Sequence, residues 1–440
     1  MAKEKMDAFV SIEEQPYSIP ENWLWMRGWC WLEKMETRKP IGQQFKYIDI
    51  ESIDNKRQVV SGIKYIDVSK APSRASRAVH SGDTIFSTVR PYLKNIAYID
   101  ESLADAIAST GFYVCSPKQF VDPRYCYYLM TSTYTVDGLN AFMKGDNSPS
   151  IRNEDLENYA YPIPPLPEQQ RIVDRIESLF SKLDEAKEKA QAVVDGYEDR
   201  KAAILHQAFT GELTAEWRKN QTIDVVEWKQ ATFDDIIISI KNGTTTKQNK
   251  EMNNYPVTRI ESLQRGTIDF SRLGYIVDPT TLSEDDYYKE NDIALSHINS
   301  AAHVGKTALI KASFLPLVHG MNLLRIRLNS LCIPEFFIWY SRSVEYKEQI
   351  THRINMAVNQ VSINQKQLRT VPIPIPQTKE QEIIVRLLND SINKLEQVRD
   401  TAEQIISQID TMKKAILARA FRGELGTNDP SELPADISIS

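Results

Sequence analysis

The chain has 440 residues, 42% of them hydrophobic and 25% charged, with a net charge of −6. That is the balance of a globular protein of two or three domains; it excludes a chain that is basic throughout, while a local basic surface stays compatible with nucleic acid. No apolar run reaches membrane-spanning length, the N-terminal MAKEKMDAFVSIEEQP lacks the apolar core of a signal peptide, and the four cysteines (Cys30, Cys115, Cys126, Cys332) show no paired metal spacing, so the expectation is a cytoplasmic protein with reduced thiols.

Residues 1–160 read as a compact α+β domain. Trp23 follows Pro20, Phe45 to Ile50 alternates like a strand, and a helix is predicted from Pro123 to Thr133. Lys70 to His80 (KAPSRASRAVH) carries three bases and no acid among small residues and a proline, which predicts a loop. A proline cluster at 162–167 closes the domain, because proline locks φ and excludes helix. A helix is then predicted from Glu168 to Phe209. Its apolar positions alternate spacings of four and three through Ile172, Ile176, Leu179, Leu183, Ala186, Ala190, Val193 and Tyr197, with Arg200 and Ile204 following. This is a coiled-coil seam, on a helix roughly 60 Å long at 1.5 Å per residue, ended by Gly211 at the left-handed C′ position.

Residues 214–373 read as a second α+β domain, with a strand at Leu323 to Leu328 and a helix from Pro334 to Gln349. A second helix is predicted over 380–421, with Ile384, Leu388, Ser391, Leu395, Val398, Ala402, Ile405, Ile409, Met412 and Ile416 as its seam and Gly423 as its stop. Thr378 to Gln381 reads as a capping box at its start. Residues 426–440 form an acidic tail, expected to be frayed.

The two halves are copies. Asn147 to Leu213 and Asn359 to Leu425 align at an offset of 212 without a gap, with 23 identities in 67 positions, too many for shared composition. Glu168-Gln169 returns as Glu380-Gln381, and the segment from Ala203 to Leu213 returns as Ala415 to Leu425. The variable regions that precede the copies are related more loosely. Trp23 matches Trp228, Ile50-Glu51-Ser52 matches Ile260-Glu261-Ser262, Asp83 to Ser87 matches Asp292 to Ser296, and Gly111 matches Gly320. One fold is used twice with different surfaces, in the order 1–160, 161–213, 214–373, 374–425. Each domain is expected to hold a curved, mostly antiparallel sheet. The two helices, matched in heptads, are expected to pack antiparallel within the chain; packing on separate domains, or in a homodimer, is the alternative.

No residues assemble an active site. Gly305-Lys306-Thr307 resembles the end of a phosphate-binding loop, but Ser300 stands where the first glycine is required. No glycine-rich cofactor loop accompanies an Asn/Asp-Pro-Pro-aromatic run. His297, His303 and His319 lack acid or cysteine partners at ligand spacing, which favours structural or DNA-facing histidines over a metal site. Cations mixed with short polar residues are more informative, since Lys and Arg hold phosphates while Arg, Asn, Gln and Lys read base edges. They include Lys64, Lys241, Lys250, Arg265, Arg325 and Arg327, and the selected DNA-facing set is Lys70, Arg74, Arg77, Arg90, Lys94, Thr244, Lys247, Arg259, Asn299 and Lys306.

PIPPLPEQQRIV before a heptad helix ending ILHQAFTGEL, and PIPQTKEQEIIV before one ending ILARAFRGEL, each follow a domain of about 150 residues. In this the whole chain resembles the specificity (S) subunit of Type I restriction-modification systems. The second copy departs at Gln377-Thr378-Lys379, where the first has Pro165-Leu166-Pro167, a difference confined to the start of the helix. The resemblance implies two target-recognition domains, each reading one half of a split asymmetric site in double-stranded DNA. It implies paired helices that set the gap and dock two methyltransferase (M) subunits, with Ile176, Leu183, Phe209, Leu388, Leu395 and Phe421 as coiled-coil and docking positions. Restriction translocase (R) subunits would join that assembly, an adenine methyltransferase and nuclease complex in which this chain is not catalytic. No cofactor is expected in this chain; S-adenosylmethionine, ATP and magnesium are implied for the partner subunits only. The competing reading is a coiled-coil scaffold with two protein-binding domains and no DNA target.

Overall fold

A computed structural model describes residues 9–221, 228–264, 266–300, 303–356 and 361–435. The chain divides into two compact units, Met1–Ala190 with Gln404–Ser440, and Gln191–Glu403. Each unit takes one variable region and a stretch of both repeat helices.

In the first unit the strand Thr84–Ser87 pairs antiparallel with Phe112–Cys115 on one side and Ile96–Tyr98 on the other. A second sheet orders Lys64–Asp67, Gln44–Ile48, Ile107–Ser109 and Ala75–Ala78, and its pair Gln44–Ile48 with Ile107–Ser109 is parallel. The segment read as a loop from Lys70 to His80 therefore contains a strand; buried Ala75 and Ala78 face the core and small side chains let it approach its neighbour. In the second unit Ile293–Ser296 lies between Leu323–Leu328 and Thr307–Leu309, the same arrangement as around Thr84–Ser87. The helix predicted from Pro334 to Gln349 is two, Pro334–Tyr340 and Val344–Thr351, because the Ser343 hydroxyl accepts from the Tyr346 amide and caps a new start. All four cysteines are buried. Among the described residues no helix is long and apolar enough to cross a membrane.

The first repeat helix runs Leu166–Asp195 and resumes as Tyr197–Phe209, so the single helix predicted to Phe209 is interrupted. Gly196 has ψ near 5°, and the Arg200 guanidinium covers the freed Val193 carbonyl at 3.1 Å. The second helix is unbroken over 43 residues, Thr378–Ala420. Gly211 and Gly423 follow with φ of 86° and 75°, as the C′ reading requires.

The helices lie antiparallel in both units. In the first, Lys187 Nζ meets Asp410 at 2.7 Å and Lys413 Nζ meets Asp184 at 2.5 Å. In the second, Tyr197 donates to Glu396 at 3.2 Å and the Arg399 guanidinium lies 4.6 Å from the Tyr197 ring centroid. The seam is displaced from the predicted one at every second position. Val398, Ile405 and Met412 are exposed, while Ile392, Arg399, Ile406 and Lys413 turn inward. In the first helix exposed Ala186 gives way to Lys187. Positions three and four residues on are both near one face of a helix, so either neighbour can take the inward place. The long stems of Lys187, Arg399 and Lys413 cover the interface while their charged ends reach carboxylates or aromatic rings.

Both helices begin with the same clasp. Glu168 accepts from the Trp23 indole at 2.8 Å, and Glu380 accepts from the Trp228 indole at 3.2 Å. Gln169 accepts from the Asp122 amide and donates to the Phe120 and Pro164 carbonyls; Gln381 accepts from the Ile333 amide and donates to the Leu331 and Pro376 carbonyls. Gln381 thus ties its helix to the loop before Pro334 and does not close a capping box with Thr378. Each glutamine is fully buried with both ends of its amide used. Gln169→Ala strands the Asp122 amide and two carbonyls, so a loss of about 1–3 kcal/mol is expected in denaturant unfolding, against a few tenths for exposed Gln170→Ala.

The acidic tail is docked through its described residues. Glu432 holds the Arg171 guanidinium by two bonds of 2.8 Å, Asn428 reaches Glu168 and Asn22, and Ala435 is buried. Sequence composition alone predicts fraying because the partners of these acids lie more than 250 residues away.

Candidate nucleic-acid interface

The matched framework places the selected residues. Ile50–Ser52 and Ile260–Ser262 each form one turn of 3-10 helix, preceded by Asp49 and Arg259. The strands Thr84–Ser87 and Ile293–Ser296 lead to Arg90 and Asn299. Val89 bridges to Ser150, and Ile298 and Asn299 pair with Ser362 and Val361, so Arg90 and Asn299 stand at equivalent places where a variable region meets its repeat copy.

Arg90 and Lys94 flank a turn of 3-10 helix with φ of 48° and 56°, a conformation uncommon outside glycine. Arg90 donates to the Asn147 carbonyl at 2.7 Å, and its amide donates to the Pro149 carbonyl at 2.8 Å. Lys94 is half-buried, and burial draws its ammonium pKa down. Lys70 is exposed, 3.7 Å from Asp67, and Arg74 is exposed next to the strand Ala75–Ala78 that carries Arg77. The buried Nε of Arg77 finds no hydrogen-bond partner among the described residues.

In the second unit, Lys247 and Arg259 line one open cavity of about 450 Å³ with Thr245, Thr246, Gln248, Glu261 and Asn322. Thr244 lies beside it, its amide donating to the His319 carbonyl and its hydroxyl bonded to that of Thr246 at 2.9 Å. The Thr244 loop passes so close to Gly320 that a Cβ on Gly243 would sit 2.0 Å from the Gly320 carbonyl oxygen. Asn299 and Lys306 are not part of this cavity. Burial, then the charge of Lys347, lowers the Lys306 pKa.

Several cations named from the sequence are consumed internally. Lys64 pairs with Asp49 and Glu51 at 2.6 and 2.8 Å, and Lys241 with Asp285 at 2.5 Å. Arg325 is fully buried and donates to the Asp285 and Tyr287 carbonyls, while Arg327 clamps Asp292 at 2.7 and 3.1 Å. Arg265 lies outside the described residues. Gly305 to Thr307 leads into the strand Thr307–Leu309, not into a helix, which removes the phosphate-loop geometry. His319 is buried, bonded to the Leu323 carbonyl, and burial pulls its pKa to about 4, a neutral structural histidine. Among the described residues no group of three His, Cys, Asp or Glu side chains could hold a metal.

Of the six coiled-coil and docking positions, four lie inside the fold and two at the helix seam. Ile176, Phe209, Leu388 and Phe421 are buried; Phe209 packs edge-on against Phe336 and Tyr340, and Phe421 against Tyr125. They pack inside the fold; heptad periodicity reports burial without saying by what. Leu183 and Leu395 are half-buried at the helix seam. The Trp–Glu and Gln clasps were missed in the sequence, although strict repetition of Glu-Gln among variable neighbours was a signal for them.

Two variable domains of one architecture, each clasped to the start of a long helix and each presenting different side chains at matched places, define a duplicated recognition protein. The family model for the Type I restriction modification DNA specificity domain matches residues 37–194 and 225–405, and the chain belongs to that family, the specificity subunits of Type I restriction-modification systems. It is 36% identical to the putative MjaX specificity subunit of Methanocaldococcus jannaschii over 224 residues, half of each chain. It is 24% identical to the EcoKI specificity subunit of Escherichia coli K12, over 74% of this chain and 70% of that one. The HsdS subunit from Thermoanaerobacter tengcongensis superposes with a TM-score of 0.69 at 26% identity, over 94% of this chain and all of that one. A chain from a structure of a type I R-M system, reported for complex assembly and conformational transition, gives 0.73 at 27%, over 93% and 100%.

Proposed function

We propose that the chain is the non-catalytic DNA-recognition subunit of a Type I restriction and adenine-methylation complex, each variable domain reading one half of a split, asymmetric double-stranded site. The carrying observation is the duplicated clasp, with different side chains at matched places: Arg90 against Asn299, and Asp49 against Arg259. Equal frameworks with unequal surfaces suit two unequal half-sites. Base edges or phosphates would be met by members of the set Lys70, Arg74, Arg77, Arg90 and Lys94 in one half, and Thr244, Lys247, Arg259, Asn299 and Lys306 in the other.

The paired helices would fix the unread gap and carry two M subunits, since an internally repeated chain offers two similar surfaces to two copies of one partner. R subunits would complete the assembly in the cytoplasm. S-adenosylmethionine, ATP and magnesium belong, in this reading, to the partners. Tethering two weak readers raises their joint affinity through effective concentration.

Exchanging residues 214–373 for the corresponding domain of another family member, followed by methylation sequencing of cells carrying the full gene set, tests this. One half-site should change while the other half and the gap persist. Alteration of both halves would refute modular reading.

A further inference from the structure

The turn that is most alike in the two variable domains carries opposite charge at its leading residue. Ile50-Glu51-Ser52 and Ile260-Glu261-Ser262 each close through a bond between the leading residue and the serine: the Ser52 amide donates to Asp49 at 3.2 Å, and the Arg259 amide donates to the Ser262 hydroxyl at 3.0 Å. In the first domain this place is a closed ion-pair group, since the single ammonium of Lys64 lies within 2.8 Å of both Asp49 and Glu51. Two carboxylates share one cation there, so the group is net negative and its cation is occupied.

The second domain reverses this. Among the described residues Arg259 has one ion-pair partner, Glu261 at 3.2 Å. Lys247 lies on the same cavity, exposed and with no ion-pair partner among the described residues. Two cations against one carboxylate leave the cleft net positive. Its remaining polar lining, the hydroxyls of Thr245 and Thr246 and the amides of Gln248 and Asn322, can donate to oxygen. The site is concave. Phosphates project from a duplex and can enter a concavity, whereas base edges lie on groove floors and are reached by projecting side chains. Arg binds phosphate as a planar fork and Lys as a point charge, and this cleft holds one of each.

We infer that this cleft seats a phosphate of the DNA backbone between Lys247 and Arg259, and that the first domain has no phosphate site at the matched turn. The inference rests on the DNA-reading role proposed above and adds an asymmetry to it: the second domain contributes a backbone contact that the first does not.

The test uses the full chain and a random-sequence duplex, because a phosphate contact persists without the specific site. Affinity is measured from about 50 to 200 mM salt, where each neutralised phosphate contributes about 0.9 to the slope of log K against log salt. The double variant Lys247→Ala/Arg259→Ala should lower the slope by about 1 and weaken binding to all sequences alike. Arg259→Lys, keeping the charge, should restore most of the slope. Lys64→Ala, at the matched turn of the first domain, should leave it unchanged. Both tested side chains are at the surface, and an unshifted thermal transition confirms that the variants fold. An unchanged slope in the double variant overturns the phosphate site while leaving DNA recognition standing. Relaxed preference at one base pair without a slope change would make Arg259 a base reader and overturn it too. Saturable binding of inorganic phosphate to the wild type, with the duplex slope unaffected by the double variant, would assign the cleft to a free anion and overturn it likewise. Failure of the wild type to bind any duplex at low salt would sink the DNA-reading role itself.

Discussion

Glu380→Ala should cost about 3–5 kcal/mol, the usual loss when one partner of a buried ion pair is removed. Glu380 and Arg218 are paired at 2.6 Å with both side chains 7% exposed. The same carboxylate accepts from the Thr214 hydroxyl at 2.7 Å and from the Trp228 indole at 3.2 Å. Alanine leaves the Arg218 guanidinium buried with the Gly211 carbonyl and the Thr214 hydroxyl, both neutral, to meet it. The matched change Glu168→Ala should cost less, about 1–3 kcal/mol, because Trp23, Thr427 and Asn428 are neutral donors. Glu380→Leu with Arg218→Met should recover much of the loss, since an apolar pair needs no countercharge. Urea unfolding of the variants decides the matter; equal losses at Glu168 and Glu380 would show that the buried arginine is not the source of the difference.

Removal of one heptad from each helix, Leu183 to Lys189 and Leu395 to Thr401, should shift the preferred gap in the DNA site by roughly three base pairs and leave both half-sites unchanged. A heptad is about 10 Å of helix at 1.5 Å per residue, and the duplex rises 3.4 Å per base pair along each strand. The antiparallel pairing makes the deletion tolerable. The outer stretches keep their partners. The deletion does remove Asp184 and Lys187, and with them the pairs to Lys413 and Asp410. Those pairs are exposed, so their loss should cost about 1 kcal/mol or less each. Methylation sequencing reads the result, and a change in the bases of either half-site would refute a spacer role.

The duplication, the two helices, the glycine stops and the matched tryptophans are legible in the sequence because each is a local or a repeated pattern. What failed was everything set by distant partners. Charge is visible in a sequence but its partner is not: Arg327 finds Asp292 35 residues away, and Lys64 finds Asp49 and Glu51. The acidic tail was unreadable for the same reason, its Glu432 held by Arg171. The seam was displaced because heptad counting weighs Val398 above Arg399, although the arginine guanidinium is what covers Tyr197. Of the DNA-facing set, Lys247 and Arg259 are brought together around one cavity, with Thr244 beside it, and nothing in their spacing announces that.

The buried cysteines have a practical consequence. Thiolate is the reactive form, and burial lifts these thiols out of its range: Cys30 to about 11, Cys332 to about 12, and Cys115 and Cys126 well above the ordinary value. Maleimide at neutral pH should therefore pass over the native protein. A cysteine placed on an exposed position, such as Ser61 in the first variable domain or Lys250 in the second, would react alone. The chain can thus carry a pair of fluorophores without first being stripped of its own sulfur, and the distance between the recognition domains can be followed as DNA is added.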